Sequence, residues 1–252
     1  MVHWKNRLRA FLLHLAISLF FSALAALLVF GIWYPYPYRY ISGGRELFLL
    51  VIAVDVVMGP IITMVIFNRS KTYRHLFMDF TIIGLLQVAA LLYGLWAVFS
   101  ARPVHLVFEY YRVAVVHAAD VDQSTLIQAP PSLQSLPLNG PTLLSLRPFK
   151  GGNEEFDSTM AALGGVSQAA QPALWQPWDA ARVEILKASR PAIGLKQRFT
   201  EQASQIDDAI VATGRAADHL RYLPLLSRKQ AWTVLIDAQT TVPVGFLPLD
   251  SF

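Results

Sequence analysis

Cysteine is absent from the 252 residues. That excludes disulfide staples, thiol nucleophiles and every cysteine metal site. Charge is scarce as well: 15% of the residues are Asp, Glu, Lys or Arg, against about 25% in an ordinary soluble domain. The familiar chemical fingerprints are also missing. The chain has no G-x-S-x-G, H-E-x-x-H, P-loop or dinucleotide motif. It shows no internal repeat and no low-complexity segment. No catalytic residue, metal ligand or cofactor is therefore assigned from the sequence, and the expectation is a protein that is not an enzyme.

What the chain has instead is apolar length. Residues 11–33 (FLLHLAISLFFSALAALLVFGIW) and 80–99 (FTIIGLLQVAALLYGLWAVF) contain no Asp, Glu, Lys or Arg. Residues 47–67 (LFLLVIAVDVVMGPIITMVIF) contain one, Asp55. Each run meets the requirement of about 20 residues for a helix that crosses a bilayer. A cleaved signal peptide is the alternative for the first run. Its apolar core exceeds the roughly 7–15 residues of a signal sequence, and "VFGIWYP" offers no small-x-small cleavage site. The expected fold is a membrane protein, with a three-helix transmembrane bundle over residues 1–100 and an extracytoplasmic α+β domain over residues 101–252.

Orientation follows the Lys and Arg near the helix ends. The N-terminal tail has Lys5, Arg7 and Arg9, and the 68–79 loop has Arg69, Lys71 and Arg74. The 34–46 loop has only Arg39 and Arg45. The N-terminus is thus expected in the cytoplasm and everything after residue 100 on the far side. The net charge of +4 belongs to the membrane half, where eight basic residues meet three acidic ones. Such a balance suits anionic headgroups of the lipid bilayer rather than nucleic acid.

The far-side part opens with a β-rich stretch, Val104–Val116, read as one long strand or a hairpin turning near Glu109–Arg112. The proline-rich segment that follows, up to Asn153, reads as irregular. Helices are expected at Glu154–Gly164, Asp179–Arg190 and Thr200–Thr213, and strands at Trp232–Asp237 and Val242–Leu247. The first and last strands are expected to share one sheet. His105, His117 and His219 are scattered. A membrane-anchored periplasmic enzyme, hydrolase-like and of unknown substrate, is the alternative function.

Asp55 is the unusual residue. A carboxylate at mid-bilayer costs roughly 2.5–3.5 kcal/mol on insertion scales. At about 1.5 Å per residue it lies about 12 Å below the far-side end of its span, too deep to snorkel. No Lys or Arg inside the spans can pair with it. Gln87 and the one-faced set His14, Ser18 and Ser22 are the available polar groups. Three roles stay open: a tie between the chain's own helices, a contact with another protein across a groove, or a proton relay with His14. Gly59-Pro60 follows closely. The proline ring conflicts with the carbonyl four residues back, so a kink with a freed Val56 carbonyl is expected. In "WYPYPYRYISGG", Trp33 and Tyr34 fit a headgroup belt, while Tyr34, Tyr36 and Tyr38 could form a stiff docking ledge. Gly43 and Gly44 turn the chain back.

The strings "WKNRLRAFLLHLAIS", "WYPYPYRYISGGRELFLLVIAVDVVMGPIITMVIFN", "LLQVAALLYGLWAVFSARPVHLVFE" and "VGFLPLD" resemble the TfpX/TfpZ family of type IV pilin accessory proteins. The resemblance is close in the membrane half and looser beyond it. It implies a multi-pass protein of the bacterial inner membrane with a periplasmic domain. It implies a chaperone-like role in the stability or assembly of the major type IV pilin, without catalysis. Such a pilin has an apolar transmembrane helix, with an N-terminal amine and an embedded glutamate, below a globular head. On that basis Asp55, Gln87, Tyr34, Tyr36 and Tyr38 are the candidate partner-binding residues.

Overall fold

A helix satisfies the backbone of an uncharged apolar run through its own hydrogen bonds, as a segment in hydrocarbon requires. In the computed structural model, which describes residues 2–66 and 72–252, that helix is α1 (Val2–Leu28), continued by a π-helical turn, Val29–Trp33. A short helix, α2 (Tyr38–Ile41), follows. The second apolar run is split. Helix α3 (Gly44–Ile52) passes into a π-helical segment, Ala53–Met58, and then into α4 (Gly59–Ile66). The third is α5 (Tyr73–Ser100). Three helical stretches, Trp4–Trp33, Gly44–Ile66 and Arg74–Ser100, are long and apolar enough to cross a membrane. Arg69 and Lys71, used above for orientation, lie outside the described residues, as does Phe67 at the end of the second run.

The chain divides into two compact units, Met1–Ala101 and Arg102–Phe252. In the first, glycines allow close approach. Gly43 takes the left-handed conformation (φ 76°) that the return after α2 requires. At Gly44 a Cβ would stand 2.2 Å from the Tyr34 ring, and at Gly94 it would stand 2.6 Å from Val51. Tyr34 is consequently fully buried among Ala25, Val29, Phe48 and Val98, and its hydroxyl donates to the Val98 carbonyl at 3.1 Å. Tyr34 is thus a packing residue inside the unit rather than one on its surface. Trp33 packs on Phe99, with ring centroids 5.0 Å apart.

The second unit is built on a mixed sheet. Strands β1 (Pro103–Glu109) and β2 (Arg112–His117) form the expected hairpin, turning at Tyr110–Tyr111. Strand β3 (Thr142–Leu146) pairs parallel with β1, inside the segment expected to be irregular. Helix α6 (Gly152–Leu163) follows, then β4 (Trp175–Pro177). The helix expected at Asp179–Arg190 is shorter: a 3-10 turn at Trp178–Ala181, then α7 (Arg182–Ala188), with Arg190 already in β5 (Arg190–Pro191). Helix α8 (Leu195–Arg198) precedes α9 (Ala203–Ala212). Strands β6 (Leu220–Leu226), β7 (Ala231–Asp237) and β8 (Pro243–Leu247) complete the sheet, in the order β4-β3-β1-β2-β6-β7-β8 with β5 beside β6. The first and last strands do share one sheet, and β6, absent from the sequence expectation, joins them. One core, around Val104, Val107 and Trp175, covers the β1–β3 half. Another, around Ile206, Leu220 and Leu235, covers the β6–β8 half.

Candidate functional site

The break in the second span decides where Asp55 points. In the π register a carbonyl accepts from the N–H five residues on. For Asp55 that residue is Pro60, which has no N–H. The orphaned carbonyl is therefore that of Asp55 rather than the expected Val56, and the Gln87 amide fills it, donating Nε2–H to Asp55 O at 3.3 Å. Gly59 makes this possible, since a Cβ there would stand 1.7 Å from Gln87 Nε2. Gln87 thus ties α5 to the backbone of the second span rather than to the Asp55 carboxylate.

That carboxylate is 6% exposed, and its Oδ1 is buried and meets no hydrogen-bond donor among the described residues. It lies on the wall of a groove of about 1050 Å³ between α1 and α5. Helix α1 rests on α4, and α5 rests on α3 and α4, so α1 and α5 flank an open cleft. The walls are apolar (Leu13, Ile17, Ile83, Leu91), with His14, Ser18, Thr63 and Gln87 on the lining and Arg9 near one end. The groove has about the volume of a 13 Å length of helix 10 Å across. His14 Nδ1 lies 2.5 Å from Thr63 Oγ1, which ties α1 to α4. Thr63 was not singled out from the sequence, yet Asp55, Gly59 and Thr63 recur every four residues and so share a face. That spacing matches His14, Ser18 and Ser22 on α1.

The three tyrosines separate. Tyr34 and Tyr38 are buried inside the unit, and Tyr36 is 55% exposed, its ring edge-on to Tyr40 with centroids 6.3 Å apart. Only Tyr36 of the three lies open on the surface.

In the second unit, His105 is buried against Trp175, with Nδ1 2.8 Å from Thr142 Oγ1, and burial pushes it down to about 4, so it is neutral. His117 is also buried, with Nδ1 3.1 Å from Asp120 Oδ2. Burial alone would raise the Asp120 carboxyl, but hydrogen bonds from His117 and Arg228 outweigh it and hold it at about 2. Both histidines sit in the sheet's packing. Among the described residues no three His, Asp or Glu converge as metal ligands would.

Residues 2–43, covering α1 and the aromatic loop, match a family model described as Fimbrial assembly protein FimB. Over 245 residues, 95% of this chain and 94% of the relative, the chain is 34% identical to "Fimbrial assembly protein, serogroup I" of Dichelobacter nodosus. The chain belongs to the fimbrial assembly protein family. A second such protein, serogroup E1 of the same organism, is 31% identical over the same shares of the two chains. The fimbrial assembly protein of serogroups C1 and C2 is 37% identical over 117 residues, 46% of this chain and 89% of that one. No solved structure matches this fimbrial assembly protein. Membership supports the resemblance to type IV pilin accessory proteins carried by the motifs of the membrane half.

Proposed function

We propose that this fimbrial assembly protein is an inner-membrane accessory protein that receives the major type IV pilin before it enters the pilus. Its N-terminus is cytoplasmic and residues 102–252 are periplasmic. The role is chaperone-like binding rather than catalysis. The pilin's apolar helix lies along the groove between α1 and α5, and its head is left to the periplasmic domain.

The observation that carries this reading is the bare Oδ1 of Asp55 in that groove. An acid at this depth costs roughly 2.5–3.5 kcal/mol, and no donor among the described residues bonds its Oδ1. A helix that brings a donor does offset it. A pilin helix, with its amine and its embedded glutamate, has two groups suited to meet a carboxylate: one as a cation, the other by sharing a proton. The names of the relatives support a place in pilus assembly.

The test is co-purification of pilin with tagged protein in mild detergent, scored per mole of accessory protein. Asp55→Asn and Asp55→Leu are expected to accumulate normally. Pilin recovery should fall in both, more for Leu. A charge-assisted contact of about 1.5–3 kcal/mol corresponds to roughly ten- to a hundred-fold in affinity. Unchanged recovery with Asp55→Leu at normal abundance contradicts the reading.

A further inference from the structure

Helix α6 wears its apolar side outward. Phe156, Met160 and Leu163 stand at i, i+4 and i+7, and they are 65%, 50% and 78% exposed. Val166, just past the helix end, is 41% exposed. The inward side is formed instead by small and polar residues, with Ser158 buried. A helix of a folded domain ordinarily turns such a stripe to the core. Here polar bonds hold it the other way round. Arg147 grips Glu154 with two bonds, Nη2 to Oε1 at 2.6 Å and Nη1 to Oε2 at 2.9 Å, while Lys150 N donates to Glu154 Oε2 at 2.5 Å. The bond from Arg147, reinforced by that from Lys150, holds the Glu154 carboxyl down at about 2, so the clamp stays charged at any neutral pH. At the other end, Gln171 Nε2 donates to the carbonyls of Ser158 (3.0 Å) and Val166 (3.1 Å). The ridge is held in place before anything binds to it.

Its flanks are acidic. Glu155 and Asp157 lie about 100° to either side of Phe156 around the helix. Helix α6 contains no Lys or Arg. This charge pattern selects among occupants. A bilayer surface with anionic headgroups would be repelled by the two acids. A second copy related by a two-fold axis would set the same acids against each other. A protein with an apolar groove rimmed by Lys and Arg satisfies both the ridge and its flanks, and anchors at i, i+4 and i+7 are those of a helix laid into a groove. We propose that Phe156, Met160 and Leu163 of α6 form a docking ridge for such a basic-rimmed protein partner. This surface is separate from the transmembrane groove, and nothing in it depends on Asp55.

The experiment places a photo-crosslinking benzoylphenylalanine at Phe156 or Leu163 of the full-length protein in its native membrane. Val211, 76% exposed on α9, serves as the control position. Positions 156 and 163 are expected to give one discrete protein adduct and position 211 none. The crosslinked partner peptide, sequenced by mass spectrometry, should be apolar with Lys or Arg on its flanks. The double reversal Glu155→Lys with Asp157→Lys should lower the adduct about tenfold at unchanged abundance. The absence of an adduct overturns the proposal. So do lipid adducts alone, an adduct of the chain with itself, an acidic partner peptide, or yields indifferent to the charge reversal.

Discussion

Gly44 and Gly59 both lack a Cβ where one would collide, and the two collisions differ in kind. At Gly44 the obstacle is the Tyr34 ring, rigid, fully buried and tied to the Val98 carbonyl. At Gly59 it is the far end of Gln87, a flexible side chain that can swing aside by giving up its bond to the Asp55 carbonyl. Overpacking against a ring that cannot move costs about 1–3 kcal/mol. Losing the Gln87 bond costs about 0.6 kcal/mol by the average for such bonds in membranes, and alanine returns about as much in helix propensity. Gly44→Ala should therefore lower the melting temperature of the purified protein clearly, while Gly59→Ala leaves it near wild type. Equal losses in the two, read by thermal unfolding in detergent, would mean that the packing around Tyr34 is not what Gly44 provides.

At the scale of elements, β8 and the residues after it close the second core. Leu247 and Leu249 pack with Ile206, Ile210 and Leu235, Thr233 Oγ1 donates to the Leu249 carbonyl at 2.6 Å, and Arg198 reaches the Ser251 carbonyl at 2.9 Å. Burying two leucines contributes about 3–6 kcal/mol, a large part of the 5–15 kcal/mol that holds a domain together. A chain ended after Asp237 should lose protease resistance throughout residues 102–237 rather than fray at its end. Limited proteolysis that still returns an intact resistant fragment would refute this. The elements that were legible in the sequence share a cause. The three spans, the Val104–Val116 hairpin and the two tail strands each rest on a local run of apolar or β-branched residues. Strand β6 was not legible because "LRYLPLL" contains a proline, which argues against a strand interior. The structure accommodates Pro224 in a gap, since β5 pairs only at Arg221 and Tyr222 and β2 only at Leu225 and Leu226 on that edge. Strand β3 was hidden for a similar reason, as five residues between Pro141 and Pro148. In the membrane half His14, Ser18 and Gln87 were legible as the polar company of Asp55, but Thr63 and the bonds the set makes were not. What hid the bond from Gln87 is the π segment, whose register moves the orphaned carbonyl from Val56 to Asp55.

At the scale of the whole molecule, the proposed topology, argued from three spans and the Lys and Arg near their ends, has the two termini on opposite sides of the membrane. A reporter active only in the periplasm should work when fused after Phe252 and stay silent when inserted in the 68–72 segment. The reverse pattern would invert the account of where a pilin head meets this protein. The central claim, that a pilin helix occupies the groove between α1 and α5, has a direct test because the chain has no cysteine of its own. Single cysteines at Ile17 and at Leu91 place one thiol on each wall of the groove, and Leu50, 68% exposed and not on its lining, is the control. Each is expressed with pilin variants that carry one cysteine stepped along the apolar helix, and disulfides are scored after mild oxidation of membranes. The account predicts disulfides from positions 17 and 91 to pilin residues three or four apart, one helical face for each wall, and none from position 50. No disulfide from either wall, or as many from position 50, would contradict it.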